Sequence, residues 1–277
     1  MKALIFALMA FLAAPAASQE TTQLLMQAQE LHSTGDLSGA VAVFRQVLRS
    51  QPENLFALNQ LGLIYAKKGD FAAAQRQFET ALEVNPKDVF ALTWLGIAHL
   101  KFERVKPAFD TFERLARVDV QNPDAHYFLG TLHSFQRNTA DALRELEQAR
   151  NLAPEDPENR FRLGKLYHDL GYFPEAEGEY AAAIHLNPDH LSVRNSLGWL
   201  YYNQFRREEA VVQWKEVLRR SPQNNEARDS LALYYNNEAW MYLKEKNVEH
   251  AVQMWQTALR YAPDNRAAKH FLKRYNR

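Results

Sequence analysis

The chain contains no cysteine. That excludes a disulfide scaffold, a thiolate zinc site, a cysteine nucleophile and a lipidated N-terminal cysteine in one step. Glycine and proline are scarce, 10 and 11 among 277 residues, too few for the tight turns of an all-β fold. No sign of charge is in excess, since 33 Lys and Arg balance 33 Asp and Glu. A generic binder of nucleic acid or of an acidic membrane needs a basic surplus, so the balance argues against both. Long apolar runs are also missing after the first twenty residues, which predicts no membrane span in the mature chain. What is present is apolar bulk, 47% of residues with 12% aromatic, ample for a folded core.

The first residues read as an address. Met1-Lys2 is a short positive start, Ala3 to Ala14 is an unbroken apolar run, and Pro15-Ala16-Ala17-Ser18 supplies small residues. This is the order of a secretory signal peptide over 1–18, cleaved after Ser18 or after Ala16. The expected location is the periplasm of a Gram-negative bacterium. An uncleaved anchor is the alternative, but the run is short for ~30 Å of hydrocarbon.

A fixed period organises the remainder. Gly62, Gly96, Gly130, Gly164 and Gly198 stand 34 residues apart. Ala40, Ala74, Ala108, Ala142, Ala176 and Ala210 keep the same period, as do Phe44, Phe78, Phe112, Leu146, Tyr180 and Trp214. Pro52, Pro86, Pro154, Pro188 and Pro222 follow it too, with Val120 in place of one proline. Within the second period the residues are Leu58, Leu61, Gly62, Tyr65, Ala74, Phe78, Ala81 and Pro86.

This pattern resembles the tetratricopeptide repeat family, with repeats at 21–54, 55–88, 89–122, 123–156, 157–190, 191–224 and 225–265. The resemblance implies an all-α fold, a right-handed α-solenoid or superhelix of about seven helix-turn-helix repeats over 19–265, closed by a capping helix at 266–277. Each residue type has a mechanical reason. Glycine lets the paired helices of one repeat approach, the small alanine of the second helix receives that contact, and the large residue four positions on fills the seam between repeats. Proline marks the turn after the second helix. Gly35-Asp36, Gly69-Asp70 and Gly171 fall in the turn between paired helices.

Two repeats depart from the pattern. The first has Ala28 in the glycine slot, as terminal repeats often do. The last is stretched by seven residues, about two helical turns, which keeps a buried face in phase. Glu226 to Lys246 then reads as one long helix with a potential break at Asn236-Asn237. Two frames fit it, Leu231-Ala232-Tyr235 or Ala239-Tyr242. The final segment, with Ala267, Ala268, Phe271, Leu272 and Tyr275 on one stripe, reads as a solvating cap.

No catalytic motif emerges. There is no nucleophile elbow, phosphate loop or metalloprotease histidine pair, so no enzyme activity, metal or cofactor is expected. His99, His126 and His133 read as seam-packing imidazoles, and His185 with His190 as a solvated turn pair. The resemblance instead implies a recognition groove lined by the first helix of each repeat. It assigns Phe56, Asn59 and Leu63 in the second repeat, Phe90 and Ile97 in the third, and Tyr127 and Thr131 in the fourth. Phe161 and Lys165 follow in the fifth, Asn195, Trp199 and Tyr202 in the sixth, and Asn236 and Trp240 in the seventh. Such a groove suits a protein or peptide ligand within an envelope assembly such as a secretion, pilus or outer-membrane biogenesis machine. A glycan, with Trp199, Tyr202 and Trp240 stacking on sugars during polysaccharide export, is the alternative, and positioning an envelope enzyme is a third reading.

Overall fold

The computed structural model describes residues 16–275; the expected signal segment lies, up to residue 15, outside them. Among the described residues there are fifteen α-helices and no strand. The chain divides into two units, one up to Leu152 and one from Ala153. The first holds α1 (Ala16–Ser33), α2 (Leu37–Ser50), α3 (Leu55–Lys67), α4 (Phe71–Val84), α5 (Val89–Lys101), α6 (Val105–Val118), α7 (Pro123–Phe135) and α8 (Thr139–Leu152). The second holds α9 (Pro157–Asp169), α10 (Phe173–Leu186), α11 (Leu191–Asn203), α12 (Arg207–Arg220), α13 (Asn225–Lys244), α14 (Val248–Tyr261) and α15 (Arg266–Tyr275). Odd-numbered helices up to α13 open a repeat (A helices) and the even-numbered ones close it (B helices). Within each unit every A helix packs on its own B helix, and the B helix on the next A helix.

The five periodic glycines are the point of closest approach. A Cβ on Gly62 would lie 2.6 Å from Phe78 Cε1, and one on Gly96 2.5 Å from Phe112 Cζ. Gly130 faces Leu146 at 2.7 Å, Gly164 faces Tyr180 at 2.9 Å, and Gly198 faces Trp214 at 2.4 Å. The partner of each glycine is therefore the large residue sixteen positions on, not the alanine series that the sequence suggests. Those alanines are fully buried as well, so each repeat is locked by a ring or leucine over a bare backbone.

The stretched repeat uses both of its frames. α13 runs unbroken through Asn236-Asn237. Its first half gives Ala227 and Leu231 to a core with Trp214 and Val217 of α12. Its second half gives Ala239 to a core with Trp255 and Ala258 of α14 and Ala268 of α15. α15 covers the last repeat with one face, Phe271 and Tyr275 stacking on Trp255 at 5.2 and 5.8 Å, while Lys269, Lys273 and Arg274 on the remainder are exposed.

All seven A-to-B turns place one residue in the left-handed region. Gly35, Gly69 and Gly171 do so freely, while Glu103, Arg137, Phe205 and Lys246 do so with φ of 57–63°, at a cost of roughly 1–2 kcal/mol per non-glycine residue. The next residue should cap the B helix. Asp36, Asp70 and Asn247 accept an N–H there, but Arg104, Tyr172 and Arg206 make no such bond.

Candidate partner-binding face

In the first unit the proposed residues lie on α3, α5 and α7. Phe56, 39% exposed, leans on Phe44 of the preceding B helix with ring centroids 6.2 Å apart. Phe90 repeats this against Phe78 at 6.3 Å, and Tyr127 sits edge-on to Phe128 at 5.0 Å. Leu63 and Ile97 are half-buried between them. Trp94, which the sequence reading missed, joins Phe90 at 6.2 Å; its spacing of four residues on one helix was the available signal. Two residues are committed elsewhere. Thr131 Oγ1 donates to the Tyr127 carbonyl at 2.8 Å, within its own helix. Asn59 is buried and its Nδ2 donates to Asp88 Oδ2 at 3.0 Å, tying α3 to the N-cap of α5.

In the second unit most candidates are engaged inside the repeat seams. Phe161 packs on Tyr180 and His190 at 6.0 and 5.2 Å. Trp199 meets Trp214 and Tyr202 edge to face at 5.2 and 5.7 Å. Tyr202 also accepts a hydrogen bond from Asn237 at 2.6 Å. Asn195 is buried, and its Nδ2 donates to Glu226 Oε2 at 2.8 Å. Asn236 is buried too. Trp240 remains 39% exposed, yet Phe271 of α15 meets it edge-on at 4.5 Å. Lys165 is exposed.

The ionisable groups serve the seams. Arg206 bridges Glu177 at 2.6 Å and lies over the Tyr201 ring at 4.1 Å. Its hydrogen bond holds the Glu177 carboxyl below the usual carboxylate range, and burial, with Glu177 adding to it, pushes the Tyr201 hydroxyl up to about 12. Burial lowers the imidazoles of His99 and His168. His126 pairs with Glu145 at 2.7 Å. His190 is half-buried against Glu158 at 3.1 Å, so it is not the solvated turn residue expected from the Asn187-Pro188 turn. Among the described residues no group of three histidines or carboxylates converges to hold a metal. The arrangement offers surfaces and ties, which suit binding.

Models of the tetratricopeptide repeat match residues 25–74, 59–126, 136–200 and 190–221, together more than half of the chain. No curated protein matches in sequence. Among solved structures, the C-terminal part of a TPR repeat-containing protein from Cytophaga hutchinsonii superposes with a TM-score of 0.69 at 17% identity, covering 89% of this chain and 98% of that one. A tetratricopeptide repeat protein from Parabacteroides merdae gives 0.63 at 18% identity, covering 94% and 100%. YrrB, described as a TPR protein with an unusual peptide-binding site, gives 0.53 at 24% identity, covering 66% and 95%. At these identities the likeness is one of fold.

Proposed function

Because the chain belongs to the tetratricopeptide repeat family, whose members mediate protein–protein interaction, we propose that it binds an extended segment of a partner protein on the A-helix face of its first unit. The observation that carries this reading is the row Phe56, Phe90 and Tyr127, one ring from each of three successive A helices. None of the three is fully buried, and each has one flank fixed by a neighbouring ring. Rings held in this way lose little freedom on binding and still offer apolar area to a ligand. The structural neighbour YrrB, whose description includes a peptide-binding site, is a precedent on the same fold. The glycan alternative needs open ring faces, whereas Trp199 and Trp240 are each crowded by two other rings, Trp214 and Tyr202 against the first and Trp255 and Phe271 against the second. The signal-like start supports a periplasmic setting and a place in an envelope assembly.

Removing rings tests the face. Burial of one ring contributes about 1.5–3 kcal/mol, so Phe90→Ala with Tyr127→Ala should weaken partner capture from envelope extract by tenfold or more, with helicity unchanged. Arg76→Glu with Arg144→Glu, on B helices, should leave capture intact, and the reverse pattern would place the partner on the other face. N-terminal sequencing of the exported protein should find Gln19 or Ala17; an intact Met1 in an all-cytoplasmic pool would defeat the periplasmic reading.

A further inference from the structure

The zero net charge conceals a segregation. In the first unit the A-to-B turns carry five exposed cations, Lys67, Lys68, Lys101, Arg104 and Arg137, against Asp36, Asp70 and Glu103. Among the described residues none of these five cations is ion-paired with a carboxylate. Asp36 and Asp70 cap the B helices by accepting the N–H of Gly39 and Ala73; they keep their charge, and cations still outnumber acids on this edge by five to three. The B-to-A turns at the opposite ends of the helices carry the reverse sign, Lys87 alone against Glu53, Asp88 and Asp119. Two phenylalanines stand on the basic edge. Phe135 is 81% exposed and Phe102 38% exposed, the latter with the Arg104 guanidinium 5.1 Å from its ring centroid.

This edge is kept at a local cost. The first two repeats make the same turn with Gly-Asp, which adopts the left-handed conformation freely and caps the following helix. The third and fourth repeats place Glu103 and Arg137 at positive φ instead, and Arg104 makes no cap bond. Two strained turns carrying exposed rings, the first of them also uncapped at Arg104, are better explained by a contact outside the chain than by packing within it.

We infer that the A-to-B turn edge of the first unit rests on an anionic phospholipid surface, its cations against headgroups and Phe102 and Phe135 in the interfacial layer. Charge complementarity selects this occupant, because several cations that face no carboxylate, Lys67 bonding only to the His32 imidazole and Arg104 to the Gln75 amide, flank rings on successive loop tips and match a flat anionic layer. Among the described residues no helix is long and apolar enough to cross a membrane, so the contact is peripheral.

The chain has no cysteine, so Phe135→Cys can carry a single environment-sensitive fluorophore, with Val120→Cys on the acidic edge as its control. With vesicles of phosphatidylglycerol and phosphatidylcholine, the label at 135 should shift to the blue and the label at 120 should not. Added salt should reverse the shift. Lys67→Glu, Lys68→Glu and Lys101→Glu together should weaken the vesicle-dependent signal at least about a hundredfold, with helicity unchanged. The apolar run Ala3 to Ala14 is common to every variant and cancels in these comparisons. An equal shift on phosphatidylcholine alone, an equal shift at 120, or insensitivity to the charge reversals would overturn the proposal. So would a shift that needs no vesicles and grows with protein concentration, which would assign the edge to a second copy of the chain.

Discussion

Two glycines of the second unit provide a matched experiment on the repeat lock. Gly178 lies inside α10 and Gly198 inside α11. Replacing either by alanine removes backbone freedom from the unfolded chain, a gain of about 1 kcal/mol in a helix interior. At Gly178 the new methyl meets nothing within 4 Å, so the gain should be realised. At Gly198 it would sit 2.4 Å from Trp214 Nε1 and 2.8 Å from Cδ1. Trp214 cannot withdraw, being fully buried and wedged against Trp199 and Tyr202 at 5.2 and 5.9 Å. Overpacking costs about 1–3 kcal/mol, and so short a contact places this case near the top of that range. The net expectation is a loss of about 2 kcal/mol for Gly198→Ala against a gain of about 1 kcal/mol for Gly178→Ala. The slot is not closed to a methyl in principle, since Ala28 and Ala239 fill it in the first and last repeats, both fully buried, the latter in one core with the indole of Trp255; at 198 it is closed by the seat of Trp214 against Trp199 and Tyr202. Urea midpoints followed by circular dichroism separate the two variants, and a change of the same sign in both would refute the lock.

The strained turns make a second test: Glu103→Gly and Arg137→Gly should each stabilise by up to about 1 kcal/mol, and Arg104→Asp by about 1 kcal/mol through a restored cap. Losses in thermal melts would show that the positive φ carries no strain. The buried imidazoles predict an acid response. Because burial lowers the folded-state pKa of His99 and His168, their contribution is complete above the ordinary histidine value of about 6.5 and is lost as pH falls through the lowered one. His168→Gln should flatten that slope, and an unchanged slope would remove His168 from the account.

The repeat register was legible because each slot makes a volume demand that few residues meet. A glycine facing a ring leaves a periodic mark that survives replacement of the ring itself, from Phe78 to Leu146 to Trp214. The face was less legible. Asn59 and Asn195 occupy slots that the family pattern turns toward a ligand, yet their amides reach the start of the next A helix, Asn59 to the N-cap Asp88 and Asn195 to Glu226 in the first turn. The clue was a polar residue 29 positions on at the N-cap of the next A helix, Asp88 from Asn59 and Asn224 from Asn195, an offset to which the 34-residue period alone is blind. Trp240 was harder still, since its cover, Phe271, belongs to no repeat. Periodicity reports what recurs, and a contact made once leaves no echo in it.

The doubled frame of α13 has a consequence for how such a chain can change length. Seven residues advance a helix by almost two full turns, about 20° short, and by about 10 Å along its axis. Excising 232–238 would join Leu231 to Ala239 and leave Leu-Ala-Trp-Met-Tyr where Leu-Ala-Leu-Tyr-Tyr now stands, restoring an ordinary repeat with a small residue still facing Trp255. An excision of five would instead rotate polar side chains into both cores. Length in this helix is therefore quantised: the fold accepts or discards a block of two turns while every buried position keeps a suitable occupant, and intermediate lengths are forbidden by the seams on either side.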